Sequence, residues 1–255
     1  MKKIKVGIVN YLNTLPLLYG IKNTAAINDI ELIEDYPVNI AIALQHGKID
    51  IGLIPVAVIP ELPSYHIQTD YCIGCNGPVG SVCLFSEVPL HEVEFVMMDY
   101  HSRTSVELAK LMLNDHWKVN PELIYPGEEY LDSIKGTTAG LVIGDRSFVQ
   151  RTRSPYIYDL GEAWKQHTGL PFVFAAWISI KELDESFVHT FNKANKYGVN
   201  NISTVIDQNH FPLFDLHQYF SKYISYEFDA AKKKGLDKFL NMIGDRAWRD
   251  QKKKF

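Results

Sequence analysis

The chain has 255 residues, 46% of them hydrophobic, and a formal net charge of −4 at pH 7. It is long enough for two modest domains or one large one, and apolar enough to bury a substantial core. A pI near 6.1 supplies no basic field, which excludes nucleic acid and anionic membranes as expected partners.

The opening Met1-Lys2-Lys3-Ile4-Lys5-Val6 is basic, then passes straight into strand alternation without the apolar stretch of a signal peptide. The longest apolar run, 51–60, is broken by Pro55 and is about half the ~20 residues that span a bilayer, so a cytoplasmic protein is expected. Its odd number of thiols, Cys72, Cys75 and Cys83, fits that compartment. Cys72 and Cys75 form a C-x-x-C, but no second pair or spaced histidines complete a zinc site, so both are expected to be core or strand thiols. The lysine runs 232–234 and 252–254 read as solvated ends.

In chain order, strand alternation over 4–9 leads into a helix starting at Pro16, where proline fits the first turn. A second strand is expected at 31–34, then a helix over 39–46 stopped by Gly47, then a buried strand over 49–54 ending at Pro55. Residues 67–72 and 81–85 read as further strands. A similar unit follows: a strand at 94–98, a helix at 104–113, a helix near 128–134 and a strand at 139–143. Thr104-Ser105-Val106-Glu107 reads as a capping box, with Val106, Ala109 and Leu113 as the apolar face. Residues 172–180 form a long strand, and helices dominate from 182 onward. Alternating strand and helix predict an α/β fold with mainly parallel sheets flanked by helices.

Four polar segments fall where strands meet helices, the place where open α/β sheets bind ligands. After the first strand, Tyr11-Leu12-Asn13-Thr14-Leu15-Pro16-Leu17 puts Asn13 and Thr14 at the mouth of a helix; the same residues also make an ordinary capping turn. Gly77-Pro78-Val79-Gly80-Ser81 lets backbone approach a ligand closely, or is simply a glycine turn. Ser102, Arg103, Thr104 and Ser105 combine a helix N-terminus, hydroxyls and a guanidinium, a ready anion site, or else a plain cap with Arg103 at the surface. Asp145, after Gly144, could orient a hydroxyl or water, or cap the next helix. The chain shows no nucleotide loop, metal cluster, cysteine paired with histidine, or close carboxylate pair. That inventory suits binding and orientation more than covalent or metal catalysis.

The heptapeptide 11–17 resembles the Y-L-N-x-x-P-L signature of the menaquinone-biosynthesis family of the futalosine route, in particular its chorismate dehydratases. The resemblance continues through Asp50-Ile51-Gly52-Leu53-Ile54-Pro55, 77–82, 102–106, Ile143-Gly144-Asp145, and 161–172 from Gly161-Glu162-Ala163-Trp164 to Leu170-Pro171-Phe172. It implies a two-lobed, periplasmic-binding-protein-like fold of type II, with a discontinuous first lobe (1–87 plus 178–255), a second lobe (88–177) and a ligand cleft between them. It further implies dehydration of chorismate to 3-[(1-carboxyvinyl)oxy]benzoate without a cofactor. Asn13 and Ser81 are carried over as catalytic residues. Tyr11, Thr14, Pro55, Ser102, Arg103, Thr104, Ser105, Gly144 and Asp145 are carried over as substrate contacts. With no evident base, the substrate's own enolpyruvyl carboxylate is the expected proton acceptor, and Asp145 the alternative. Two rivals stay open: the pathway's 1,4-dihydroxy-6-naphthoate synthase, whose S-P-C-P-N-D motif is absent here, and a non-enzymatic domain that binds or senses small anions.

Overall fold

The computed structural model describes residues 3–100, 102–127 and 129–252, with 247–252 by backbone alone. In chain order the regular elements begin with β1 (Ile4–Ile8), α1 (Leu15–Lys22), β2 (Ile30–Glu34), α2 (Pro37–Gln45), β3 (Ile51–Pro55) and β4 (Tyr71–Cys75). They continue with β5 (Val82–Ser86), β6 (Phe95–Met97), α3 (Arg103–Leu111), β7 (Glu122–Ile124), β8 (Thr138–Ile143), α4 (Arg146–Gln150), β9 (Tyr156–Asp159) and α5 (Leu160–Thr168). The last are β10 (Phe172–Ile178), α6 (Glu185–Asn200), α7 (Ile202–Gln208), the short α8 (Leu216–Gln218), β11 (Ser225–Glu227) and α9 (Ala230–Lys252).

The chain divides into two compact units, 1–75 with 174–228 and 76–173 with 229–255. The first holds a six-stranded sheet in the order β11-β4-β10-β3-β1-β2, the second a five-stranded sheet in the order β7-β6-β8-β5-β9. Both sheets are mixed rather than mainly parallel. β1 runs parallel to β2 and β3, and β6 to β7 and β8. The antiparallel pairs involve β10 against β3, β11 against β4, and β5 against β8 and β9. β5 and β10 are the strands by which the chain enters each sheet from the other unit, and each arrives against the local direction.

The division differs from the expected 1–87 plus 178–255 against 88–177 in three places, the smallest being residues 174–177 of β10, which join the first unit. Residues 76–87 fall in the second unit because β5 pairs with β8 and β9 there. The C-terminal helix α9 falls there too, since Phe239 packs edge-on against Trp164 and Phe172, and a side chain at Gly235 would collide with the carbonyl of Pro171. The buried face of α9 carries Lys232, Gly235, Leu236 and Phe239, the i, i+3, i+4, i+7 spacing of one helical stripe. Lys232 is therefore not a solvated end: it is 2% exposed, with its ammonium 4.0 Å from Asp229. Lys253 and Lys254, like Met1 and Lys2, lie outside the described residues.

Several expected elements shift. β4 begins at Tyr71 rather than 67, because the preceding residues leave the ladder: His66 makes only an isolated bridge to Ser179, and the Asp70 N–H is taken by Asn192. The helix expected over 128–134 is a single 3₁₀ turn, Leu131–Ser133, in its described part. Tyr130 and Ile134 instead turn inward against Cys83, Phe85 and Val142. Ser102, not Thr104, caps α3, its Oγ accepting the Ser105 N–H at 3.3 Å. Cys72 and Cys75 are buried thiols of β4. Gly47, at φ +63°, follows α2 as the sequence suggests.

One packing feature fixes the helix that carries the first polar turn. Gly20 of α1 lies against the backbone of Ala194 in α6, and Gly198 of α6 against the carbonyl of Pro16, so neither position has room for a Cβ. The two helices touch backbone to backbone, which sets the position of the α1 N-terminus.

Candidate functional site

In the first unit β1, β2 and β3 are parallel neighbours, so their C-terminal ends share one sheet edge. That edge carries the 3₁₀ turn Leu12–Thr14 after β1, Asp35 to Pro37 after β2, and Pro55 as the last residue of β3. A cavity of about 300 Å³ opens there, lined by Val9, Asn10, Tyr11, Glu34, Asp35, Tyr36 and Pro37. Its two carboxylates are engaged, Glu34 by Lys22 at 2.6 Å and Asp35 by Asn39 at 2.9 Å.

Adjacent residues in this turn do opposite things. Thr14 is fully buried, and its hydroxyl lies 2.6 Å from the Val9 carbonyl and 2.8 Å from that of Tyr11 while accepting the Tyr11 N–H at 3.4 Å. Its hydrogen-bonding capacity is spent on the turn. The backbone carbonyl of Asn13 accepts the hydroxyl of Tyr226 at 2.9 Å, and burial raises the pKa of that tyrosine. Yet the side-chain Oδ1 of Asn13 is buried with no hydrogen-bond partner. An unmet buried acceptor costs ~1–3 kcal/mol, a cost that a ligand hydroxyl would remove.

In the second unit β6 and β8 are parallel, and β5 runs antiparallel to β8 with Val82 opposite Ile143. The turns after β6 and β8 and the turn before β5 therefore emerge at one edge. Ser81 and Gly144 meet there directly, the Gly144 N–H donating to the Ser81 carbonyl at 2.8 Å. Gly77 and Gly80, at φ +122° and +75°, make the turn that glycine permits. Ser81 is fully buried.

Two charged residues that the sequence did not single out hold this turn. The Asp159 carboxylate accepts the N–H groups of Val79 at 3.0 Å and Gly80 at 2.7 Å. It also caps α5 through Gly161 at 2.9 Å and Glu162 at 3.1 Å. From the other side the Arg151 guanidinium donates to the Gly80 carbonyl at 2.8 and 3.0 Å. Both faces of the Gly80 backbone are thus gripped by opposite charges, and Ser81 follows directly. Burial, then the Asp159 charge, pushes the Cys83 thiol well up, so it stays protonated in the strand.

At the same edge, within the Ser102 turn, Ser105 Oγ donates to Ser102 Oγ at 3.1 Å. Thr104 and Ser105 are buried, whereas Arg103 is exposed. Asp145 occupies the cap position of α4 without capping it through its side chain. A second charged group is built in nearby. Asp99, 1% exposed, accepts Arg146 Nη2 at 2.6 Å, the Tyr130 hydroxyl at 2.9 Å and the Ile143 N–H at 3.2 Å. Burial first, and then the Asp99 charge, raises the Tyr130 pKa. Among the described residues no group of three or more His, Cys, Asp or Glu is placed to hold a metal ion, and no helix is long and apolar enough to cross a membrane.

Two α/β units whose polar turns gather at sheet edges define a member of the periplasmic-binding-protein fold class. The chain is similar to protein AF1704 from Archaeoglobus fulgidus, with a TM-score of 0.71 at 14% identity over 96% of this chain and 98% of that one. It is also similar to the alkanesulfonate-binding protein SsuA from Xanthomonas axonopodis pv. citri, with a TM-score of 0.61 at 13% identity over 98% and 94% of the two chains. Within that class the chain belongs to the menaquinone biosynthesis family, whose model matches residues 4–245. A curated relative, the chorismate dehydratase of Thermus thermophilus, is 25% identical over 229 residues, 81% of this chain and 82% of its own length.

Proposed function

We propose that this protein is a chorismate dehydratase, a cytoplasmic lyase that converts chorismate to 3-[(1-carboxyvinyl)oxy]benzoate and water in menaquinone biosynthesis. Family membership and the Thermus relative support the reaction. Three buried free thiols suit a reducing compartment. The observation that carries the reading is the buried, unpartnered Oδ1 of Asn13 at the N-terminal mouth of α1. It is an acceptor kept without a protein donor in a turn whose next residue, Thr14, is fully satisfied.

The chemistry asks for little beyond orientation. The proton on the ring carbon that bears the ether oxygen leaves, its electron pair forms the new ring double bond, and the neighbouring C–O bond breaks. The departing hydroxide takes up a proton as water, and aromaticity drives the reaction. Asn13 accepts the ring hydroxyl and orients it. Ser81, on its clamped turn, donates to the oxygen as negative charge grows there, a contribution of the kind worth ~3–4 kcal/mol in an oriented site. The Ser102 to Ser105 turn, with Arg103 beside it, lies where a carboxylate can be held. Tyr11, Pro55 and Gly144 shape the edges, and Thr14 acts through the turn it ties. The enolpyruvyl carboxylate of the substrate takes the ring proton, with Asp145 as the alternative base.

Incubation of the purified protein with chorismate alone, followed by chromatography with mass detection, tests this. An aromatic product lighter by one water supports the reading. Intact chorismate beside an active control enzyme rejects it in favour of the sister reaction or a binding domain. Near-normal turnover in Asp145→Asn removes Asp145 as the base.

A further inference from the structure

We infer that Arg146 is the guanidinium that receives a carboxylate of the ligand at the sheet edge of the second unit, preset for that contact by Asp99, Tyr100 and Tyr130. The inference rests on the reading of the ligand as the dianion chorismate. The sequence placed a cation at Arg103, in the Ser102 turn, but Arg103 is exposed. Arg146 is built in. Its Nη2 donates to the fully buried carboxylate of Asp99 at 2.6 Å, and its guanidinium carbon lies 5.5 Å from the centre of the Tyr100 ring and 6.0 Å from that of Tyr130.

Topology puts this group where a ligand is read. Asp99 and Tyr100 follow β6, Arg146 follows Gly144 and Asp145 beyond β8, and β6 and β8 are parallel neighbours. The guanidinium therefore stands at the carboxyl edge that also carries Ser81 and the Ser102 turn, where open α/β sheets take their ligands.

A purely structural partner for Asp99 would not need the rest of this arrangement. Asp99 already accepts the Ile143 N–H and lies 2.9 Å from the Tyr130 hydroxyl, whose proton the Leu141 carbonyl shares. Arg146 adds one hydrogen bond through Nη2, and the same side chain stays 31% exposed, with its remaining N–H groups bonded to no other described residue. A guanidinium fixed at one corner between aromatic rings loses little rotamer entropy when it binds, which is how preorganisation raises affinity. Because Asp99 offsets its charge, what Arg146 offers is a directed pair of N–H groups more than a long-range field. Lysine, a point charge, does not reproduce that fork.

The test compares binding of chorismate and of its dimethyl ester to wild type, Arg146→Gln and Arg146→Lys, by calorimetry, with unfolding midpoints and turnover measured in parallel. The expected result is a loss of chorismate affinity of about 30-fold or more in Arg146→Gln and at least about 10-fold in Arg146→Lys. Affinity for the ester should stay within about twofold, so that the preference for the acid collapses. Chorismate affinity within twofold of wild type in Arg146→Gln, or equal losses for acid and ester, would overturn the inference. Wild type that binds chorismate without dehydrating it would reject the proposed reaction and leave Arg146 to be judged on binding alone. If wild type binds no chorismate, thermal stabilisation by benzoate decides: an effect lost in Arg146→Gln supports the inference, and its persistence or absence in both proteins rejects it.

Discussion

The turn after β1 and the turn before β5 carry the two residues assigned to catalysis, Asn13 and Ser81, and they are held in different ways. The first is tied mainly by short-range bonds within its own segment, Thr14 to Val9 and Tyr11, with one long-range bond from the Tyr226 hydroxyl to the Asn13 carbonyl, and leaves the Asn13 side chain with an unmet acceptor. The second is gripped from a distance, by Asp159 on its N–H groups and Arg151 on its carbonyl. A local tie costs little sequence and can leave one polar group over for a ligand. A long-range clamp makes the position of Ser81 depend on Asp159 and Arg151, which are far from it in the sequence.

Removal of the clamp should have the largest effect on stability. Asp159→Ala leaves the N–H groups of Val79, Gly80, Gly161 and Glu162 without their acceptor, and is expected to cost about 3–5 kcal/mol in urea unfolding, with turnover falling as the turn loosens. A cost below ~1 kcal/mol would show that the clamp does not hold the turn. Thr14→Val removes bonds within the first turn only. A loss of ~1–3 kcal/mol is expected, while turnover per folded molecule should stay within about threefold, as for a residue that acts on the turn and not on substrate.

The smallest effect sharpens the comparison through pH. Tyr226, buried under Asn13, and Tyr130, beside Asp99, both have raised pKa values because burial disfavours the phenolate. Below the ordinary tyrosine value of 10.0 both states are protonated and these groups add no pH dependence. Above it the unfolded chain loses protons that the folded chain keeps, so stability falls by about 1.4 kcal/mol per pH unit for each tyrosine. Tyr226→Phe should cost ~1 kcal/mol at pH 7 by losing the bond to the Asn13 carbonyl, and should make the alkaline decline shallower by one tyrosine. An unchanged slope would contradict that assignment.

Much of this arrangement was readable in the sequence where the signal is local. β1 and α3 follow from periodicity, α1 from Pro16 at its first turn, β3 from an apolar run ending at Pro55, and Gly47 from its place after a helix. The turns at 11–14, 77–81 and 102–105 were found because each lies at the end of a readable element. β7, β9 and β11 were not found: at three or four residues, each at a sheet edge, they are too short to show a period of two. Lys232 reads as solvated from its charge alone, although it belongs to the buried stripe with Gly235, Leu236 and Phe239. The clamps were illegible for another reason. Arg146 meets Asp99 across 47 positions, Arg151 meets Gly80 across 71 and Val79 meets Asp159 across 80, and no spacing rule joins residues so far apart.

The central claim, that Asn13 is kept for substrate and not for the fold, is tested most directly by Asn13→Ala, with turnover of chorismate and the unfolding midpoint measured on the same preparation. The account predicts that turnover falls by roughly 10²–10³-fold while the midpoint holds or rises, because a buried acceptor without a partner has been removed. Turnover within a few-fold of wild type, or a lost fold, would contradict it.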